Sequence, residues 1–237
     1  MPIPSYSVRC AKKELIAPNV YELRLEKPTG FVFKPGQFLL FDVPLLSNPE
    51  DIQPRACSIA STPDEPGLLF VVKLKQGGRM SEWIAKRLVA GSTVSMKGSF
   101  GLFTLKQNEH DLLFAATGAG IAPFRSQILH ALKNGDTRTM YLFFGVRTSE
   151  DFFWRKDFES LQQEHSNFHL HPCLSGDDPL WTKARGRIQN FLPSFIRETN
   201  RTDLYVCGAP KMVSDIKKTA LETWGIPKAN VHAEGYI

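Results

Sequence analysis

The sequence predicts two domains, an antiparallel β-barrel followed by an α/β doubly wound parallel sheet. In the first half, short apolar strand candidates are separated by turns that contain Gly and Pro, which is typical of a small barrel. In the second half, apolar strands alternate with amphipathic helical segments, which is typical of a parallel sheet covered by helices. The pattern changes near Lys106, so we predict domains over residues 1–107 and 108–237.

The first half predicts five strands and one helix. Tyr21, Leu23 and Leu25 alternate with charged residues, which is the period of a half-buried strand. The other predicted elements are strands over 38–43, 56–60, 68–74 and 93–97, and a helix over 81–90.

The second half predicts strands and helices in turn. The strands cover 112–116, 140–144, 168–174 and 204–207, with a closing strand near 231; the helices cover 123–134, 152–163 and 188–196, and a last one begins at 209–210. Ligands of such sheets bind beyond the carboxyl ends of the strands. Polar or glycine-rich residues follow four of the predicted strands, at 117–120, 145–147, 175–176 and 207–208. We therefore expect one extended ligand along that edge.

The composition excludes several classes of protein. Hydrophobic residues make up 42% of the 237 residues, which is enough for a core, and four Cys are too few for a disulfide scaffold. No apolar run approaches the roughly 20 residues of a membrane helix, and the N-terminus lacks the apolar stretch of a signal peptide. The basic residues behind the net charge of +5 are spread out. We expect a cytoplasmic protein with no membrane insertion, nucleic-acid partner or metal site.

The strongest local motif is the segment Thr117-Gly118-Ala119-Gly120-Ile121-Ala122-Pro123, which joins an apolar strand to an amphipathic helix. Glycines let a backbone approach a ligand closely, and a helix N-terminus presents free N–H groups to a phosphate. The motif therefore predicts a nucleotide phosphate site, although an ordinary tight turn between a strand and a helix would look the same.

Two weaker motifs lie in the first half. Arg55 precedes the segment Cys57-Ser58-Ile59, and a guanidinium at a strand can make paired hydrogen bonds to phosphate. The segment Gly78-Arg79-Met80-Ser81 opens the predicted helix, where N–H groups suit a pyrophosphate. A surface Arg and a plain Gly-Gly turn are the alternative interpretations.

Taken in order, these pieces resemble the ferredoxin–NADP reductase family over almost the whole chain. The matching motifs are Pro35-Gly36-Gln37-Phe38, Arg55-x-x-Ser58, Val72-Lys73, Gly78-x-x-Ser81, Thr117-Gly118-x-Gly120-x-Ala122-Pro123, Gly145-x-Arg147, Cys207-Gly208-x-Pro210 and Glu234-Gly235-Tyr236. The resemblance implies an FAD-binding barrel followed by a domain for the nicotinamide nucleotide, and an oxidoreductase that joins the two cofactors.

The resemblance also implies roles for single residues. Ser58, Cys207 and Glu234 would be catalytic: Ser58 at N5 of the flavin, Cys207 beside the nicotinamide, and Glu234 near the hydride path. Arg55 would bind the FAD pyrophosphate, and Tyr236 would cover the flavin face. The full predicted set of cofactor-binding residues is Arg55, Cys57, Ser58, Ile59, Val72, Lys73, Gly78, Arg79, Met80, Ser81, Thr117, Gly118, Gly120, Ala122, Pro123, Arg147, Ser175, Cys207, Gly208 and Tyr236.

Cys57 departs from the family pattern, which usually has an aromatic residue there. Losing an aromatic ring stacked on the flavin would weaken FAD binding by up to about tenfold. Two alternatives to the FAD-dependent oxidoreductase stay open, and Cys57 favours the first of them. One is an NAD(P)H-dependent flavin reductase, for which flavin is a diffusible substrate. The other is a nucleotide-binding module without enzymatic activity.

The electron acceptor is expected to be a separate protein. The four cysteines have no iron–sulfur spacing, so a ferredoxin or flavodoxin-like carrier is predicted, and an acidic carrier would suit the net charge of +5. Arg147 could pair with a 2′-phosphate, which favours NADPH over NADH. The segment Ser175-Gly176 lacks the Arg found in many NADPH-using members, and Lys183 or Arg185 could substitute for it.

Overall fold

The computed structural model describes residues 3–236, which form two compact units. Unit 1 comprises the described residues up to Leu105 together with Ala122–His130. Unit 2 comprises Lys106–Ile121 and the described residues from Ala131 onward. None of the helices in this described part has the length and apolar character needed to cross a bilayer.

Unit 1 contains an antiparallel sheet of six strands. The strands are β1 (Ser5–Ala17), β2 (Val20–Glu26), β3 (Phe38–Leu45), β4 (Asn48–Ser58), β5 (Gly67–Lys73) and β6 (Thr93–Phe100), and helix α1 covers Arg79–Lys86. Their order in the sheet is β4-β3-β6-β1-β2-β5. The apolar faces enclose a core in which the rings of Phe41 and Phe70 meet edge to face, with their centroids 4.9 Å apart.

The antiparallel sheet is confirmed, but within the described residues its strand pairing does not close into a barrel. Strands β4 and β5 stand at opposite ends of the order. Just past β4, the Ala60 N–H donates to the Leu69 carbonyl at 2.8 Å, so the two ends approach each other there without forming a ladder.

Strand β1 was missed by the sequence analysis although it is the longest strand described, at 13 residues. Its pairing with β2 shifts register between Cys10 and Lys12 and again between Leu15 and Ala17. Each bulge interrupts the alternation of apolar and polar side chains, which is the signal that reveals a strand.

Unit 2 contains a parallel sheet of six strands in the order β10-β9-β8-β7-β11-β12. The strands are β7 (Asp111–Thr117), β8 (Met140–Val146), β9 (Phe168–Leu174), β10 (Ala184–Arg185), β11 (Thr202–Gly208) and β12 (Val231–Gly235). The helices of the second half are α2 (Ala122–Lys133), α3 (Arg155–Glu164) and α4 (Pro210–Glu222). The predicted parallel sheet with its alternating helices is therefore confirmed.

The predicted helix over 188–196 is wrong. The segment forms two short 3₁₀ turns, Ile188–Asn190 and Leu192–Phe195. Pro193 lies in the second turn, where its missing N–H and its ring exclude a continuous α-helix.

Helix α2 is shared between the units, because its residues up to His130 group with unit 1. Arg125 donates to the Ala60 carbonyl at 2.8 Å, and the Ser126 hydroxyl donates to the Ser61 carbonyl at 2.6 Å. These polar contacts with the segment after β4 give the first part of α2 its place in unit 1, although its sequence lies between two strands of unit 2.

Candidate functional site

The carboxyl ends of the strands of unit 2 are aligned at one edge. In the register of the sheet, Thr117 on β7 pairs with Gly145 on β8, and Gly145 pairs with Cys173 on β9. Cys207 on β11 pairs with Glu234 on β12. The structure therefore brings Thr117, Cys207 and Glu234, which the sequence places up to 117 positions apart, to the same end of the sheet.

Two glycines allow the ends of β7 and β11 to approach each other closely. A Cβ atom added to Gly120 would lie 2.4 Å from the Cys207 carbonyl oxygen, and one added to Gly208 would lie 2.4 Å from Thr117 Oγ1. Gly208 also has a φ of +136°. Thr117 Oγ1 accepts the Ala209 N–H at 3.0 Å, which fixes the exit of β11 against the exit of β7. Larger residues at either glycine would force these two turns apart.

Cys207 carries a neutral thiol at the end of β11. Its side chain is completely buried, and burial raises the pKa of the thiol. The Glu234 carboxylate raises the pKa further, against a smaller lowering by a hydrogen bond with the Tyr236 side chain. The Tyr236 N–H also donates to the Gly208 carbonyl at 3.0 Å. A protonated, enclosed thiol suits a packing and aligning role beside a ligand more than a role as a nucleophile.

The residues that follow the carboxyl ends of β8 and β9 form a second part of the same edge of the sheet. The Gly176 N–H donates to the Arg147 carbonyl at 3.0 Å, and a Cβ on Gly176 would lie 2.2 Å from that oxygen. The Ser175 hydroxyl donates to the Val146 carbonyl at 3.1 Å, so it is engaged in joining the two strands. The Arg147 side chain is exposed to solvent.

Lys183 and Arg185, the predicted substitutes for the missing Arg, have acidic or carbonyl partners. Lys183 Nζ lies 3.0 Å from the Glu159 carboxylate. Arg185 donates to the Asp178 carbonyl at 2.5 Å. Arg147, by contrast, is exposed at this edge.

The predicted segment from Thr117 to Pro123 continues from unit 2 into unit 1. Gly118 has a φ of +54° and opens a 3₁₀ turn that ends at Ile121. Ala122 and Pro123 follow as the first residues of α2, and both are buried. These two residues belong to unit 1.

The predicted flavin residues of unit 1 lie at the end of β4. Cys57, Ser58 and Ile59 are buried, and the Cys57 side chain is part of the hydrophobic core, where burial raises the pKa of its thiol to about 12. Arg55 is half-buried and donates to Gln53 Oε1 at 2.9 Å. Cys57 therefore contributes to packing as an uncharged thiol.

The end of β5 and the start of α1 carry the rest of the predicted flavin residues. Val72 packs against the core, and Lys73 is exposed. Gly78 is the N-cap of α1 and supplies no capping side chain. The Ser81 hydroxyl is engaged because it accepts the Lys75 N–H at 2.7 Å.

The backbone N–H groups in the first turn of α1, from Arg79 to Ser81, therefore have no side-chain cap within the described residues. Together with the positive end of the helix dipole, they form the donor set that a pyrophosphate requires. The residues present at this turn thus fit the phosphate part of FAD. No sequence motif marks Asp51, whose carboxylate oxygen Oδ2 lies 2.8 Å from Nη2 of Arg79.

Comparison with known families assigns the two halves of the chain to two domain types. Residues 7–105 match the oxidoreductase FAD-binding domain, and residues 114–218 match the oxidoreductase NAD-binding domain. The chain is 32% identical to ferredoxin–NADP reductase B of Sorangium cellulosum strain So ce56 over 98% of this chain and 97% of that protein. It is 29% identical to the reductase component of propane 2-monooxygenase of Rhodococcus jostii strain RHA1, and the match covers 98% of this chain and 63% of that protein.

Solved structures share the fold at lower sequence identity. A ferredoxin NADP⁺ reductase from Neisseria gonorrhoeae with bound FAD and NADP superposes with a TM-score of 0.83 at 23% identity, and 98% of each chain is covered. The Amycolatopsis cytochrome P450 reductase GcoB superposes with a TM-score of 0.87 at 24% identity, and the match covers 99% of this chain and 71% of that one.

Proposed function

The chain belongs to the ferredoxin–NADP reductase family of FAD- and NAD(P)-dependent oxidoreductases, and on that premise we propose that it reduces a separate electron-carrier protein at the expense of NADPH. FAD, when bound, supplies the chemistry that accepts a hydride and releases electrons one at a time. We assign FAD binding to residues 1–107 and nucleotide binding to residues 108–237.

One observation carries the proposal most directly, namely the glycine-led first turn of α1 without a side-chain cap in a chain that matches an FAD-binding domain. In the proposal, the N–H groups of residues 79–81 bind the pyrophosphate, and Arg55 adds a charge-assisted contact. Ser58 donates a hydrogen bond to the flavin ring, while Val72 and Lys73 line the site.

The exits of β7 and β11 hold the nicotinamide nucleotide in this proposal. The close approach of Gly120 to Cys207 leaves no side chain between the turn and the end of β11. Thr117, Gly118 and Gly120 would bind the nucleotide through their backbone. Cys207 and Glu234 would align the nicotinamide, with the thiol protonated and therefore without charge at the reacting carbon.

The first turn of α1 favours bound FAD over a diffusible flavin. Its N–H donors suit a pyrophosphate, which FAD has and riboflavin lacks. The competing function is the NAD(P)H-dependent flavin reductase. It is favoured by Cys57, because the side chain is buried in the core and leaves no aromatic ring at that position to stack on the flavin.

NADPH is preferred in the proposal because Arg147 is exposed at the end of β8, next to the exit of β9. A guanidinium there can bind a 2′-phosphate in paired hydrogen bonds. We propose a ferredoxin or flavodoxin-like carrier as the acceptor, since relatives of the chain are named as a ferredoxin–NADP reductase and as the reductase component of an oxygenase. The cytoplasmic location stays a prediction.

The test is the visible spectrum of the purified protein after extensive dialysis, followed by anaerobic titration with NADPH and with NADH. The proposal predicts a retained flavin spectrum that NADPH bleaches at lower concentration than NADH. A colourless protein that reduces added flavin would favour the flavin reductase instead. Equal bleaching by the two nucleotides would contradict the preference assigned to Arg147.

A further inference from the structure

Arg79, the first residue of α1, directs its guanidinium away from the helix start and onto Asp51 of β4. Nη1 and Nη2 of Arg79 lie 3.1 and 2.8 Å from the two carboxylate oxygens of Asp51. Nη1 also donates to the Asp51 carbonyl at 2.5 Å. Two parallel hydrogen bonds between a guanidinium and a carboxylate fix direction as well as distance.

The contact is enclosed on the Arg79 side only, and it reaches two strands. The Arg79 side chain is 11% exposed and that of Asp51 is 39% exposed. Arg79 Nη1 also approaches the Val43 carbonyl of β3 at 3.5 Å. Hydrogen bonds of its side chain thus connect the first residue of α1 to both β3 and β4.

Arg79 is a cationic residue at the N-terminus of α1. A cation at a helix N-terminus lies at the positive end of the helix dipole, which is unfavourable, whereas an anion is stabilised there. Here the guanidinium turns to Asp51, while the N-cap Gly78 offers no capping side chain. The guanidinium of Arg79 therefore binds Asp51 of the sheet. The backbone N–H groups of the same turn are the donors available to a phosphate.

We propose that Arg79 is a positioning residue: its pair with Asp51 holds the first turn of α1 on the sheet so that the backbone N–H groups of that turn meet the FAD pyrophosphate. The inference rests on the proposed function, because it requires FAD in unit 1. It assigns the Asp51 carboxylate a part in flavin binding without contact with the flavin.

Positioning and simple electrostatics predict opposite effects for Asp51→Asn. The substitution removes a negative charge close to the phosphate site and releases a guanidinium that could bind phosphate directly, so electrostatics alone predicts tighter FAD binding. If the pair positions the turn, the same substitution loosens the turn and weakens FAD binding. Asp51→Asn therefore separates the two explanations.

The experiment titrates the flavin-free full chain with FAD and with riboflavin, which lacks the pyrophosphate, and follows flavin fluorescence. Asp51→Asn and Arg79→Gln should each raise the Kd for FAD by about tenfold, and the double variant should be no weaker than Arg79→Gln alone, because both substitutions remove the same contact. The Kd for riboflavin should stay within about twofold of the unsubstituted protein in each case.

Two further variants serve as controls. Arg79→Lys should restore FAD binding only in part, since an ammonium cannot make the paired hydrogen bonds. Lys97→Gln breaks the 3.2 Å ion pair between Lys97 and Asp42 in the same sheet and should change neither Kd. Thermal unfolding of each variant shows whether it is folded, and Arg79→Lys carries the test if Arg79→Gln does not fold.

FAD binding by Asp51→Asn that equals or exceeds that of the unsubstituted protein would overturn the positioning role. A parallel loss of riboflavin affinity would also overturn it, because the damage would then extend beyond the pyrophosphate turn. Failure of the unsubstituted protein to bind either flavin is a different result, which refutes the proposed function and the positioning role together.

Discussion

Gly208 lies against Thr117 with no space for a side chain: a Cβ atom on Gly208 would be 2.4 Å from Thr117 Oγ1 and 2.6 Å from the Thr117 carbonyl oxygen. The contact joins the ends of β7 and β11, where the polar strand exits of unit 2 are gathered. It also holds Gly208 at a φ of +136°, in a region of backbone conformation that favours glycine. The close approach of the carboxyl ends of β7 and β11 thus requires a residue without a Cβ atom at position 208.

Gly208→Ala should therefore damage both the fold and the nucleotide site. We expect a loss of about 2–4 kcal/mol in the free energy of unfolding from the clash and the backbone strain, and NADPH binding weakened by at least about tenfold. Denaturant unfolding and nucleotide titration measure the two effects. Gly235→Ala is the matched control, since nothing lies within 4 Å of its added Cβ. Equal behaviour of the two variants would contradict the packing argument.

Thr117→Val removes the acceptor of the Ala209 N–H, a hydrogen bond of 3.0 Å, and keeps the shape of the side chain. The free energy of unfolding should fall by about 1–2 kcal/mol, because a backbone donor loses its partner. Nucleotide affinity should fall as well, since the exit of β11 is no longer fixed. Thr117→Ser keeps the hydroxyl and should bind nucleotide almost normally; a Ser variant as weak as the Val variant would show that the methyl group matters instead.

Cys207→Ala should slow reduction of bound flavin by NADPH while the protein remains folded. The thiol is completely buried beside Glu234 in the register, so its removal leaves a small void where the nicotinamide would be aligned. Misalignment at this point should slow flavin bleaching by roughly ten- to a hundredfold, at a cost of about 1 kcal/mol in stability. Stopped-flow absorbance measures the rate. An unchanged rate would leave Cys207 with a purely structural role.

His171 should make the stability of the protein dependent on pH. Its ring stacks on Phe143, with centroids 4.9 Å apart, and its Nε2 is buried with no hydrogen-bond partner among the described residues. Burial, with a smaller contribution from the nearby His169, lowers the pKa of the imidazole from 6.5 to about 4. The folded protein therefore keeps this imidazole neutral at pH values where the unfolded chain protonates it.

The sign of the effect follows from proton binding. Between pH 6.5 and about 4 the unfolded chain binds a proton at His171 that the folded protein does not, so stability falls as the pH falls through this window. The loss amounts to up to about 3 kcal/mol. His171→Phe should make the free energy of unfolding less dependent on pH there. A variant with the same pH dependence as the unsubstituted protein would exclude His171 as the cause.

The sequence reveals β7, β8 and β11 of the parallel sheet well, because their apolar runs are nearly continuous and polar or glycine residues follow them. It does not reveal the two-residue strand β10. β9 has the predicted bounds, 168–174. The sequence reveals less where a structural element depends on contacts with residues that are distant in the chain. The bulges of β1 hide its alternation, and the first part of α2 joins unit 1 through hydrogen bonds of Arg125 and Ser126 that no local pattern announces.

In the candidate site, too, local features can be predicted from the sequence, whereas contacts between distant residues cannot. Glycine-rich exits such as Thr117–Gly120 can be found by pattern, since the turn chemistry is local. The partner of Arg79 could not be found, because Asp51 lies 28 positions earlier on a separate strand and nothing in the spacing marks the pair. The closeness of Gly208 to Thr117 likewise depends on strands 91 positions apart in the chain.

Anaerobic stopped-flow mixing of the FAD-loaded protein with NADPH measures hydride transfer from the nucleotide to the flavin. We expect rapid loss of the visible flavin absorbance, with re-oxidation when an oxidised ferredoxin or flavodoxin is added. A flavin-loaded sample whose absorbance stays unchanged with both NADPH and NADH would refute the proposed reductase activity.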